Sequence, residues 1–281
     1  MANRDAVEPA SLLDYVKALE NQDSRRRGEL VRGFLESLGV GFTVQRSRHP
    51  RIENIIVDFL PESPQELGFS AHYDVVRGSP GANDNASGVA VLLGLCRTLK
   101  ASPAPARVIF FDREEAWVRT PFLRLGLLGS LYYVFRHDLN KLRAVFNLEF
   151  CGSGDCLAIW PIKDGQKRLP AFEVASGAAA KMGLPAKTAH VPWLLLSSDH
   201  FSFRIRGLAN AITLSLLPSD QAAEFEGLIA RLNVFRLLTG HRPALPGVLA
   251  TVHTPADTAS RMNEASLSLM LSLLREIVET C

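Results

Sequence analysis

Four short, almost unbroken apolar runs set the strongest limit on what this chain can fold into: ELGFSAH, RVIFFD (107–112), AVFNLEF (144–150) and NAITLSLLP (210–218). A strand apolar on both sides needs cover on both sides, as in a parallel sheet flanked by helices. Helical spacing supplies that cover. Leu12, Leu13, Val16 and Leu19, then Leu30, Val31, Phe34, Leu35 and Leu38, predict one or two helices over 10–39, stopped by Gly39 and Gly41. Further helices are expected over Ala86–Leu99, 124–137, 170–182, about 219–239 and 262–280. FTVQRS and ENIIVDFL (53–60) read as two more strands, the second ended by Pro61, and DCLAIWP (155–161) as an edge strand or hairpin partner.

No Ser/Gly-rich linker or charge run divides the 281 residues, so a single domain over 1–281 is expected, with the helical region 1–50 integral to it. The net charge is +2 with scattered basic residues, which argues against nucleic acid as a partner. The opening MANRDAVEPASLLDYV has no continuous apolar core, and no stretch has the length to span a bilayer, so no membrane association and a cytoplasmic location are expected. Four cysteines in so long a chain make no disulfide framework. Cys151 and Cys156 flank a short loop and are expected to be buried free thiols in preference to a pair.

The apolar runs end in ligand-type residues. GFSAHYDVVRGSPGANDNASGVAVLLGLCRTL (68–99) delivers His72 and Asp74, then Asp84 ahead of an apolar helix; Glu114 and Glu115 follow RVIFFD, Glu149 lies in NLEF, and His253 in VHTPADT. Imidazole and carboxylate suit a borderline cation such as zinc, and α/β sheets bind ligands beyond the carboxyl ends of their strands. His72 and Asp74 share a face of a strand, which lets the carboxylate hold the imidazole tautomer. Adjacent Glu114 and Glu115 would repel near a buried strand end without a cation; one can bind metal while the other takes a proton from water.

Each residue has a plainer reading. Asp84 alone reads as a helix cap, His253 as a surface residue, and Asp257 as the start of the last helix. Ser198 or Asp199 reads as an N-cap, against support of the site or substrate contact by Asp199 and His200. A nucleophilic serine is disfavoured, since no GxSxG occurs.

AHYD, PGANDNASGVAVL, FFDREEA, LGLLGS, NLEF, SSDHFSF and VHTPADT, in this order from about residue 52 to 260, resemble the successive motifs of the zinc aminopeptidase family that also contains glutaminyl-peptide cyclotransferases and the glutamate carboxypeptidase group. The resemblance implies a three-layer αβα sandwich around a mixed, mostly parallel central sheet. It implies that His72 and Glu115 each hold one of two zinc ions, that Asp84 bridges them, that His253 is the last zinc ligand, that Asp74 orients His72, and that Glu114 is the general base.

The implied activity is removal of N-terminal residues from a peptide or small amide substrate. Glu149 stands where family aminopeptidases usually have aspartate, so two ions are expected if it binds and one otherwise. The segment AWVRTPFLRLGL after Glu115 is similar to that of glutaminyl cyclotransferases, which makes one-zinc cyclisation of N-terminal glutamine the alternative, with Trp117, Phe122 or Trp193 lining its pocket. A third reading is an inactive binding module, as transferrin receptors are on this fold, and the retained ligand set argues against it.

Overall fold

The computed structural model describes residues 9–115, 118–119, 124–160, 168–188, 198–222 and 247–281. Two helices come first, α1 (Leu12–Leu19) and α2 (Ser24–Ser37). The Ser11 and Asp23 side chains accept from the Asp14 and Arg26 amides, which have no partner inside their helices. Gly39, at φ +62, turns the chain out of α2 in the left-handed conformation that glycine adopts without a Cβ clash.

The sheet is built from β1 (Thr43–Arg48), β2 (Arg51–Phe59), β3 (Glu66–His72), β4 (Ala106–Phe111), β7 (Leu142–Leu148), β8 (Cys156–Trp160), β9 (Ala186–Thr188) and β10 (Ala211–Leu217), in the spatial order β1-β2-β4-β3-β7-β10-β8-β9. Its centre, β4-β3-β7-β10, is parallel. The pairs β1–β2, β2–β4 and β8–β10 are antiparallel, so the sheet is mixed as expected. A separate ribbon pairs β5 (Val118–Arg119) with β6 (Arg124–Leu125).

Helices cover both faces. Phe69, Ala71, Val108, Phe110, Phe146, Leu148, Ile212 and Leu214 point into the larger core, beneath α3 (Ser87–Ala101), α5 (Pro170–Lys181) and α7 (Glu264–Thr280). Their strand neighbours Ile109, Phe111, Val145 and Ala211 point the other way, against Tyr133 of α4 (Leu128–Val134) and Phe203 of α6 (His200–Ile205). Helix α3 is buried almost all round, because α1 and α7 pack on it from outside while the sheet lies beneath. Full burial of each large apolar side chain contributes about 2 kcal/mol. The Glu264 carboxylate accepts from the Leu12 and Leu13 amides at 3.1 and 2.7 Å, placing negative charge at the positive end of α1.

Two expectations change. The helix over 124–137 shrinks to α4, since the Leu127 and Leu128 amides donate to Glu114 O and Arg113 O and hold the preceding chain against the end of β4. DCLAIWP is not the edge: the short polar strand β9 pairs along its outer side. The helix over 219–239 lies for the most part outside the described residues. Cys151 and Cys156 are buried free thiols. Among the described residues, no helix is long and apolar enough to cross a membrane.

Arg27 of α2 ties this frame to the loop that precedes Asp84. Its fully buried guanidinium donates to Leu19 O at 3.1 Å, Pro80 O at 2.7 Å and Gly81 O at 2.9 Å. Burial lowers its pKa to about 10, against the pull of Asp74, Asp84, Asp257 and Glu115, so it stays charged at neutral pH. Replacing Arg27 with Met strands three carbonyls and should cost about 3 kcal/mol in denaturant unfolding. Lysine should recover only part of that loss, because one ammonium cannot reproduce the fork.

Candidate metal centre

Five of the expected ligands converge at the carboxyl edge of the parallel strands. His72 ends β3, Glu115 follows β4 and Glu149 follows β7; Asp84 comes from the turn Ala82–Ala86, and His253 from the segment after the 3-10 turn Gly247–Thr251. His72 Nε2 lies 3.3 Å from Asp84 Oδ1 and 3.5 Å from Glu149 Oε2. His253 Nε2 lies 3.0 Å from Asp84 Oδ2 and 2.8 Å from Glu115 Oε1. The two oxygens of Asp84 therefore face different histidines, and two donor sets share one carboxylate. Ligand atoms of His72, Asp84 and Glu115 also lie within 4.8 Å of one another.

The turn that presents Asp84 is not the cap its sequence suggests. Asp84 has non-helical angles, φ −114 and ψ 87, and its side chain faces the histidines. Capping falls to the next residue: Asn85 Oδ1 accepts from Gly88 N at 3.1 Å while its Nδ2 donates to Leu148 O at 2.7 Å. Arg113, Phe150 and His253 adopt left-handed backbone at φ +54, +54 and +61, beside Glu114, beside Glu149 and at the ligand itself. Such strain persists where surrounding contacts over-determine the chain.

Two further carboxylates hold the ligand loops by their backbone. Asp74 accepts from Glu114 N at 3.0 Å and Glu115 N at 3.1 Å, with Oδ1 also 3.3 Å from His72 Nδ1. It thus orients an imidazole and clasps the glutamate turn together. Asp257 does the same for the other loop, accepting from Asn83 N at 2.7 Å and Asp84 N at 3.1 Å. It does not begin the last helix, whose cap is Asn263.

Behind Glu149 lies a polar ladder across three adjacent strands. Ser70 pairs in register with Asn147, and Asn147 with Thr213. Ser70 Oγ donates to Asn147 Oδ1 at 2.8 Å; Asn147 Nδ2 donates to Ser198 Oγ at 2.8 Å and Thr213 Oγ1 at 3.3 Å. Ser198 Oγ in turn donates to Glu149 Oε1 at 2.5 Å. His200 closes the far end, its Nδ1 2.7 Å from Thr213 Oγ1 and its ring edge-on to Trp160. Burial, helped by Arg204, pushes its pKa well below the usual value, so His200 is a neutral packed residue.

Neither Ser198 nor Asp199 caps α6 through its side chain. The Asp199 carboxylate is buried, and burial raises its pKa to about 7 against the pull of His72 and of the Ser130 hydroxyl. Trp117, Phe122 and Trp193 lie outside the described residues. Sequence reasoning missed Arg27, Ser70, Asn147, Thr213 and the clasp by Asp257. For the ladder, the available signal was a polar residue inside an otherwise apolar run, as at Ser70, Asn147 and Thr213.

The electrostatics favour a cation. Burial raises Glu115, and the neighbouring Asp84 raises it further. Glu114, which keeps some solvent contact, is pushed well up by burial and by Glu115, Glu149 and Asp199, despite His72. Burial alone would lower both histidines. Glu149, Asp74 and Asp84 outweigh it at His72, and Asp84 and Glu115 bring His253 to about 9. Asp84 is held well below its ordinary value by the two histidines in spite of burial. Negative charge thus exceeds what the imidazoles supply. Donors about 2.0–2.1 Å from a tetrahedral zinc ion lie about 3.3 Å apart, close to the His72 separations, and the residues present fit such an ion.

Replacing Asp257 with Asn leaves one acceptor for two amides. Zinc affinity, measured by competition with a chromogenic chelator, should fall about ten- to a hundredfold, as for other groups that orient metal ligands. The unfolding midpoint of the metal-free protein should move much less.

Aminopeptidase YwaD of Bacillus subtilis (strain 168) is 34% identical over 161 residues, covering 53% of this chain and 31% of that protein. Endoplasmic reticulum metallopeptidase 1 of Mus musculus is 33% identical over 159 residues, 51% of this chain and 16% of that protein. The chain therefore matches less than a third of the length of either relative. The solved structure of BSAP, a zinc aminopeptidase from Bacillus subtilis, superposes with a TM-score of 0.59 at 27% identity, covering 81% of this chain and 49% of that one. Porphyromonas gingivalis glutaminyl cyclase superposes at 0.70 and 20% identity over 96% and 98% of the two chains, a likeness of fold. Residues 54–278 match the family described as Peptidase family M28, and the chain belongs to that family.

Proposed function

We propose that the chain is a zinc-dependent exopeptidase, an aminopeptidase that removes the first residue of a peptide. The observation that carries this reading is the division of Asp84 between His72 and His253, which supports two metal positions: one held by His72, Asp84 and Glu149, the other by Asp84, Glu115 and His253. Zinc held there would lower the pKa of a bound water towards about 7 and polarise the scissile carbonyl.

The protein's own groups then have defined tasks. Glu114 takes the water proton and returns it to the leaving amine. Burial and the neighbouring carboxylates raise its pKa, the direction that favours holding a proton between the two steps. Asp74 fixes the backbone of both glutamates, so that one side chain joins the donor set while its neighbour stays free of it. Asp199, a buried carboxylate within the field of His72, is the acceptor for the free amino terminus of the substrate. A buried carboxylate in that place favours a charged amine over a peptide nitrogen, and with it cleavage at the chain end.

A second reading, cyclisation of N-terminal glutamine at a single metal, is favoured by one feature of Glu149. Its Oε1 is already engaged by Ser198 at 2.5 Å, which weakens it as a ligand and makes Asp84, Glu115 and His253 the better-formed set.

Mass spectrometry of the zinc-loaded protein with peptides beginning in Leu, Ala or Gln separates the two. Uptake of water with release of the first residue is expected; loss of ammonia from the Gln peptide alone would assign the cyclase. Glu114→Gln should lower kcat about a hundred- to ten-thousandfold while zinc stays bound. Dialysis against a chelator should abolish turnover, and zinc should restore it.

A further inference from the structure

A cleft of ≈ 770 Å³ adjoins the metal centre, with Asp74 and Glu115 on its inner wall. Its outer wall is formed by α2 and the β1–β2 hairpin, and it is strongly basic. One carboxylate, Glu53, serves three guanidinium groups there: Arg32 Nη1 at 3.0 Å, Arg51 Nη2 at 3.3 Å and Arg46 Nε at 3.8 Å. Arg77 and Arg113 line the same cleft. Its other acids are engaged, Glu29 by Arg25 and Arg26 and Asp112 by the Glu53 amide. The wall therefore carries positive charge in excess, on the side chain whose planar fork best matches a carboxylate.

The sheet register gives the distance. His72 of β3 pairs with Phe111 of β4, and β4 pairs with β2 so that Ile55 lies opposite Phe110. Glu53 and its arginines thus stand at the same carboxyl edge as the metal ligands, two strands over. Two strand spacings are about 10 Å, the span of about three residues of extended peptide.

We propose that this arginine wall is a carboxylate subsite of the substrate cleft. It receives a carboxylate carried by the third residue of the peptide, and selects tripeptides by their C-terminal carboxylate or longer ones by an acidic side chain at that position. The assignment rests on the exopeptidase reading for its geometry, and on the Glu53 cluster for its charge.

The test is calorimetric binding of Leu-Ala-Ala, its C-terminal amide and Leu-Ala-Glu-amide to zinc-loaded Glu114→Gln protein, alone and with Arg46→Met and Arg51→Met added. The free acid should bind about tenfold more tightly than the amide, a preference that shrinks as salt is raised. Both arginine replacements together should bring the two within about twofold, without changing the Kd of the amide. Leu-Ala-Glu-amide binding like the acid would extend the subsite to acidic side chains; binding like the amide would restrict it to the chain terminus. Equal binding of acid and amide, or a preference that survives loss of both arginines, would overturn the subsite. The same peptides offered to the unsubstituted zinc enzyme separate the two readings. Cleavage without any acid preference leaves the exopeptidase and removes the subsite, whereas acid preference in binding without cleavage leaves the subsite and removes the exopeptidase.

Discussion

Several carboxylates are held close together, largely out of water, at one edge of the sheet, and the rest of the structure answers to that constraint. Like charges in such a place raise one another's pKa and push their loops apart. Three kinds of partner oppose this. The imidazoles of His72 and His253 face the donor oxygens directly. Consecutive backbone amides, two for Asp74 and two for Asp257, offset the charge of the two carboxylates that hold the loops. Arg27 adds a permanent buried cation and ties the loop before Asp84 to the first two helices. A divalent cation would complete the balance, which explains why so acidic a site is tolerable in a stable fold.

The sheet turns this balance into precise placement. Parallel strands bring β3, β4 and β7 to one edge, so residues distant in sequence become neighbours by register alone. The ladder Ser70–Asn147–Thr213 crosses β3, β7 and β10 one pleat deeper and reaches Glu149 through Ser198. A fully satisfied buried network of this kind fixes one arrangement, because any slip of register would strand its polar atoms. Glu149 is thus anchored at one oxygen while the other remains directed towards His72.

Much of this was legible in the sequence, for reasons particular elements make plain. The runs around Phe69, Phe110, Phe146 and Leu214 are apolar on both sides because helices cover both sides, and that pattern survives without coordinates. The gathering of the candidate ligands at strand ends was legible because this architecture leaves few other places for such residues. Asp84 was harder to read: an acid before a helix is ordinarily a cap, and only contact with Asp257, 173 residues away, twists the turn so that Asn85 takes that task. The start of α4 depends likewise on amide bonds to Arg113 and Glu114, and β9 is too short and polar to announce itself. The ladder was visible as single polar residues in apolar runs, but their alignment is a matter of register, which local pattern does not carry.

The segment that bears His253 and Asp257 grips Asp84 from two sides, by its side-chain oxygen and by its amide, and continues to the end of α1 where Ala259 N donates to Glu20. These partners are among the most widely separated in the chain, Ala259 and Glu20 standing 239 positions apart. Contacts of such long range form late, because a large loop must close before they stabilise anything. During synthesis, the strands carrying His72, Glu115 and Glu149 emerge well before the segment that completes the site. A nascent chain can therefore assemble most of its sheet before this cluster is complete, and a metal that needs the whole cluster would be captured only once folding is finished.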